Sequence, residues 1–103
     1  MQMDNSLVVT GTICRQVDHS ESPAGIPHSY LVIEHQSVQQ EAGFNRQAYV
    51  RLQVVCAGAG LAQQTHNLKL GNKVRVSGFL NRHQSRSGQS KLVLHAQQIE
   101  ILS

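Results

Sequence analysis

The chain has 103 residues, a formal net charge of +3 and only 15% charged residues. That length fits one domain, residues 1–103. No run reaches the roughly 18 apolar residues of a membrane-spanning helix, and the polar start Met1–Ser6, with only a short apolar run behind it, does not read as a signal peptide. The few charges are unevenly placed. Of the six acidic residues, all but Glu100 fall in the first 41 positions; of the nine Lys and Arg, all but Arg15 fall after them. A basic stretch of that kind points to nucleic acid or an acidic partner.

Leu7–Cys14 alternates and is rich in β-branched residues, with Leu7, Val9, Gly11 and Ile13 on one face. It reads as a first strand, and Gly11 hints at a bulge or sharp bend. Arg15–Pro27 reads as a loop, with a type I turn at Ser22-Pro23-Ala24-Gly25. His28–His35 is the second strand; both of its faces are apolar, Tyr30 and Val32 on one, Leu31 and Ile33 on the other. Gln36–Gly43 reads as a polar connection turning at Ala42-Gly43.

Ala48–Cys56 has the cleanest alternation. Ala48, Val50, Leu52, Val54 and Cys56 are expected to point in; Tyr49, Arg51 and Gln53 are expected to point out. Small residues and glutamines follow, with a short helix or coil around Leu61–Thr65. Lys73–Leu80 is the fourth strand, and its Val74, Val76, Gly78 and Leu80 form a buried face. Asn81–Ser90 contains no apolar residue and reads as a long basic hairpin loop. Lys91–Leu102 is the fifth strand, where Ile99 and Ile101 keep the period only if a bulge shifts the phase. Five strands interrupted after the third predict an all-β fold, the five-stranded Greek-key barrel called the OB-fold, with the short helix or coil between strands three and four. A small open sandwich is the competing architecture.

No catalytic constellation is present. The six histidines show no H-x-x-x-H spacing, there is no C-x-x-C, and neither a metal nor a cofactor is expected. Cys14 and Cys56 each lie in an apolar run and read as buried free thiols of a reducing compartment, with a disulfide in a secreted domain as the alternative. The chemistry that the residue types do support is binding of unpaired nucleic acid, which takes aromatic faces for bases and cations for phosphates. The stacking candidates are Phe44, Tyr49 and Phe79, with a barrel-capping role as the alternative for Phe79. The phosphate candidates are Arg51, Arg75, Arg82, Arg86 and Lys91, then Arg46 and Lys73. Stacking and phosphate contact do not read the sugar, so RNA stays open, as does docking of an acidic protein.

Four strings carry a family resemblance: S-P-A-G-I-P-H (22–28), I-E-H-Q-S-V-Q-Q-E-A-G-F-N-R-Q-A (33–48), V-S-G-F-L (76–80) and S-K-L-V-L-H-A-Q-Q-I-E (90–100). With L-V-V-T-G-T-I-C-R at the start, nearly the whole chain resembles the PriB family, primosomal replication protein N. The resemblance implies a cytoplasmic, dimeric, non-catalytic bacterial OB-fold protein. It implies binding of single-stranded DNA in replication restart, stabilising the PriA helicase on DNA and promoting DnaT recruitment. It also implies dimerisation through the first strand. The family's DNA surface, the outer face of strand three and the loop between strands four and five, corresponds here to Tyr49, Arg51, Arg86 and Lys91, with Phe44 nearby. The chain departs from the family where Tyr49 replaces tryptophan and where Ser20, Gln36 and Gln84 replace basic residues. If about three phosphate contacts are absent, the salt slope for single strands falls by about 2 units.

Overall fold

The computed structural model describes residues 3–103; Met1 and Gln2, at the head of the polar start, lie outside the described residues. Period-two alternation builds β1 (Leu7–Ile13), β3 (Pro27–Glu41), β4 (Phe44–Ala57), β5 (Lys73–Gln84) and β6 (Ser90–Ile101), with α1 (Ala59–Thr65) between β4 and β5. β1 pairs with β5, β5 with β6, β6 with β4 and β4 with β3; Thr12–Glu34 and Ile13–Ile33 join β3 back to β1 and close the ring. Among the described residues, only the β4–β6 pairing is parallel. This is the expected five-stranded Greek-key barrel, and it rules out the open sandwich.

The core is the inward set of each strand. Ile13, Leu31, Ile33, Val54, Cys56, Val74, Val76 and Leu94 are all buried within one cluster. Burial pushes the Cys56 thiol up to about 11, so it stays protonated and inert. Two glycines permit the closure. A Cβ at Gly78 would lie 1.9 Å from the His95 carbonyl oxygen, and one at Gly11 2.7 Å from the Glu34 carbonyl oxygen. At Gly78 the β5–β6 register also slips, pairing Ser77 with Gln98 but Gly78 with Ala96. That is the bulge which Ile99 and Ile101 required.

Three expectations change. The first concerns the loop Arg15–Pro27, which holds a further short strand, β2 (Asp18–Glu21), added outside the barrel against Pro27–Tyr30 of β3. Its four residues are exposed and polar, so they carry no alternation to read. Side chains pin it: Thr65 donates to the Leu61 carbonyl at 2.9 Å, leaving Ser29 to donate to Thr65 (2.9 Å) and His19 Nδ1 to donate to Ser29 (3.0 Å). The Ser22–Gly25 turn is present, closed by Gly25 N–H to the Ser22 carbonyl at 2.8 Å.

The second change is at Gln36–Glu41, which is strand rather than connection. It pairs residue for residue with Phe44–Tyr49 as far as a tight turn at Ala42 (φ 52°) and Gly43 (φ 80°). Two left-handed central residues match the twist of the flanking strands.

The third change is at Asn81–Ser90. The ladder continues through Asn81–Val93, Arg82–Leu92, His83–Lys91 and Gln84–Ser90, so the connection is only residues 85–89. Its tip is closed by Ser85 N–H to the Gln89 carbonyl (2.8 Å) and Gly88 N–H to the Ser85 carbonyl (3.0 Å). Both segments form arms that leave the barrel. An arm has no buried face, so polar residues occupy both of its sides and mask its strand character.

Candidate nucleic-acid interface

Two neighbouring strands set the site. On β4, Tyr49, Arg51 and Gln53 alternate to the outside, and Val55 continues their parity but is covered. Directly opposite on β3 stand Gln36, Glu34, Val32 and Tyr30. The parallel strand β6 runs along the other side of β4, with Gln53 level with Val93. Arg51 and Lys91, each two residues earlier, therefore line one hollow of about 540 Å³, together with Arg15, Val32 and Gln53. Tyr49 is 57% exposed at the head of this face. Its phenol is pushed above the ordinary value, first by its hydrogen bond to Glu34, then by desolvation and the Glu34 charge. Glu34 thus stands beside a ring that is open to solvent.

The electrostatics favour an anionic ligand. Among the described residues, only two ion pairs form: Arg46–Glu41 at 3.6 Å and Arg75–Glu100 at 2.8 Å. Arg51, Arg82, Arg86, Lys91 and Arg15 thus have no ion-paired carboxylate. Exposed pairs are individually weak, but a cation already bonded to a carboxylate is a poorer phosphate partner than a free one.

The structure brings some of the sequence candidates together and separates others. Tyr49, Arg51 and Lys91 share the β4–β6 face. Arg86 lies at the tip of the β5–β6 arm, whose ladder carries Lys91 opposite His83. Arg82 sits in the same arm opposite Leu92, on the alternate side of the ribbon from Lys91. Phe44 is 66% exposed at the far end of the β3–β4 arm, also on the alternate side from Tyr49. Arg75 is not brought to this face: it pairs with Glu100 on a surface shared with Leu61 and Gln64 of α1. Phe79 has one ring face covered, because it stacks on His95 with centroids 5.0 Å apart and planes 7° from parallel. His95 in turn meets His83, Nε2 to Nε2 at 2.8 Å. Desolvation, then the neighbouring His83, pulls the His95 pKa below its ordinary value.

Sequence reasoning missed Glu34 and Arg15. Glu34 could have been found as the residue facing Arg51 once the hairpin register was known. Arg15 is the one cation in an acidic stretch, and only the return of the chain beside β3 brings it to this face.

A strand face with an exposed ring and unpaired cations, on a barrel of this topology, defines the class of single-strand-binding OB-fold proteins. Residues 5–98 match the family model described as "Another single-strand binding protein family". The replication restart protein PriB of Proteus mirabilis (strain HI4320) is 51% identical over 98 residues, spanning 95% of this chain and 93% of that protein. Among solved structures, the protein PriB of Ralstonia solanacearum superimposes with a TM-score of 0.80 at 23% identity, covering 98% of this chain and 100% of that one. A Plasmodium falciparum SSB, solved in complex with ssDNA, superimposes with a TM-score of 0.81 at 11% identity, covering 100% and 98%. The chain belongs to the PriB family of replication restart proteins.

Proposed function

We propose that this chain is a non-catalytic single-stranded DNA-binding protein of replication restart, which stabilises the PriA helicase on DNA and promotes recruitment of DnaT. The observation that carries the reading is an exposed Tyr49 ring on the same strand face as the hollow lined by Arg51 and Lys91, neither cation ion-paired among the described residues. An unpaired strand offers a base face and a phosphate at every step, and this surface answers both. Arg86 at the arm tip and Phe44 at the other arm extend the contact.

The naming of its PriB relatives for replication restart supports the process, and the SSB solved with ssDNA supports the ligand. The PriA and DnaT partnerships, and a cytoplasmic setting, rest on the family alone. The chain acts as a homodimer, a reading supported by the free edge of β1: Leu7–Gly11 pair with β5 on one side, while β3 takes only Thr12 and Ile13 on the other.

Anisotropy titration of a labelled dT oligomer and of a duplex, at about 50 and about 200 mM salt, tests the reading. The expected outcome is tighter binding of the single strand, weakening as salt rises. Equal affinity for the duplex overturns it.

A further inference from the structure

The outer face of β3 and β4 does not end at Arg51. Past Gln53 it continues into a second hollow of about 150 Å³, lined by Arg15, Gln16, Asp18, Tyr30, Val32 and Gln53 among others. Arg15, Val32 and Gln53 line both hollows, so the two adjoin on this face. Tyr30 stands directly opposite Val55 in the β3–β4 ladder, and Val55 shares the parity of Tyr49. The two tyrosines are therefore on one face of one sheet. Six residues of strand separate the levels of Tyr49 and Val55, roughly 20 Å at the usual rise.

Tyr30 is 43% exposed, a large fraction for an aromatic ring on a paired central strand. It is also held. His28 lies beside it with centroids 6.2 Å apart and planes 14° from parallel, and His28 Nδ1 donates to the Ile26 carbonyl at 2.9 Å. Among the described residues, Arg15 has no ion-paired carboxylate. Asp18, level with Tyr30 on β2, is the acid of this hollow. Its charge repels a phosphate and leaves the Arg15 side as the place for one.

We propose that Tyr30 and Arg15 form a second nucleotide subsite, with one base of the bound strand on the Tyr30 ring and an adjacent phosphate on Arg15. The proposal deepens and rests on the single-strand reading above. It gives the track two aromatic platforms on a face whose adjoining hollows carry Arg51, Lys91 and Arg15. It also supplies contacts in a chain whose Ser20, Gln36 and Gln84 are uncharged.

Oligomer length separates the two subsites. A dT oligomer of about 5 nucleotides reaches one platform, and one of about 15 reaches both, within the usual range for a barrel of this kind. Tyr30→Ala is expected to weaken the long oligomer at least fivefold and the short one less than twofold. Tyr49→Ala is expected to weaken both, and Tyr30→Phe, which keeps the ring, to restore the wild-type value. Arg15→Gln should lower the salt slope for the long oligomer by about 0.7, the single-strand value for one phosphate. Tyr30 is outside the core cluster, and an unchanged melting curve for Tyr30→Ala checks that the barrel is intact. Wild-type affinity of Tyr30→Ala for both lengths, with Tyr49→Ala still impaired, overturns the subsite and leaves the single-strand reading standing. Failure of the unaltered protein to bind either oligomer overturns both.

Discussion

The closed barrel and the two arms are made of the same strands, yet they obey different physics. In the barrel, Leu31, Val54 and Leu94 point inward and are buried. In the arms the same parity continues to Val50, which was expected to point in, and to Leu92. Val50 is 40% and Leu92 62% exposed, because no opposite wall remains beyond the point where the strands leave the barrel. Backbone pairing persists along each arm; apolar burial does not. Stability is therefore concentrated in the barrel, while the arms are held by ladder hydrogen bonds and tight turns and remain available for contact.

The widest test of that contrast is a pair of leucines. Leu31→Ala should cost about 3 kcal/mol, within the range for emptying a buried leucine site. Leu92→Ala should stay within about 0.5 kcal/mol, as for an exposed position. Denaturant unfolding of both variants measures the difference, and equal losses would erase the distinction. Tyr49→Ala reverses the pattern. It should leave the unfolding midpoint in place and cost about 1–3 kcal/mol of affinity for single strands, read by anisotropy. A change of only a few tenths of that unit removes Tyr49 from the site.

A finer test concerns charge. Replacing both Arg86 and Lys91 by alanine should reduce the slope of log affinity against log salt by about 1.4, at about 0.7 per phosphate contact for single strands. An unchanged slope means the arm does not meet phosphate. The smallest expected effect is the pH response of His95. Its folded pKa is depressed by desolvation and by His83, so the unfolded chain takes up the proton first as pH falls. The contribution is complete above the ordinary histidine value of 6.5 and is lost as the pH drops through the folded pKa below it. Titration of the His95 ring by NMR should place its midpoint below that of a free histidine, and acidification should loosen β5 and β6 where His95 stacks on Phe79 and meets His83. A midpoint at or above the free value contradicts the desolvation argument.

Much of this was readable in advance. Ala48–Cys56 and Lys73–Leu80 announced their faces because each has one buried side. The bulge near Gly78 was legible in the broken phase of Ile99 and Ile101. Tyr49, Arg51 and Lys91 stood out as an aromatic and cations on outward positions. What stayed hidden had no buried face to write a pattern: β2, the Gln36–Glu41 half of the β3–β4 arm, and the Asn81–Gln84 ladder. Arg75 resembled the other cations because its partner Glu100 lies 25 positions away in sequence and meets it only across the β5–β6 ladder.

Local alternation determined which segments wall the barrel and which side chains fill it, and the order of residues put the basic ones in the later part of the chain. Which cations remain free, how far the hairpins project, and that Arg15 and Tyr30 join the face of Tyr49 depended on the tertiary structure. The reason is physical. A strand's inside and outside follow from its own period of two, whereas a shared hollow and an ion pair arise between residues that only the closing of the barrel brings together.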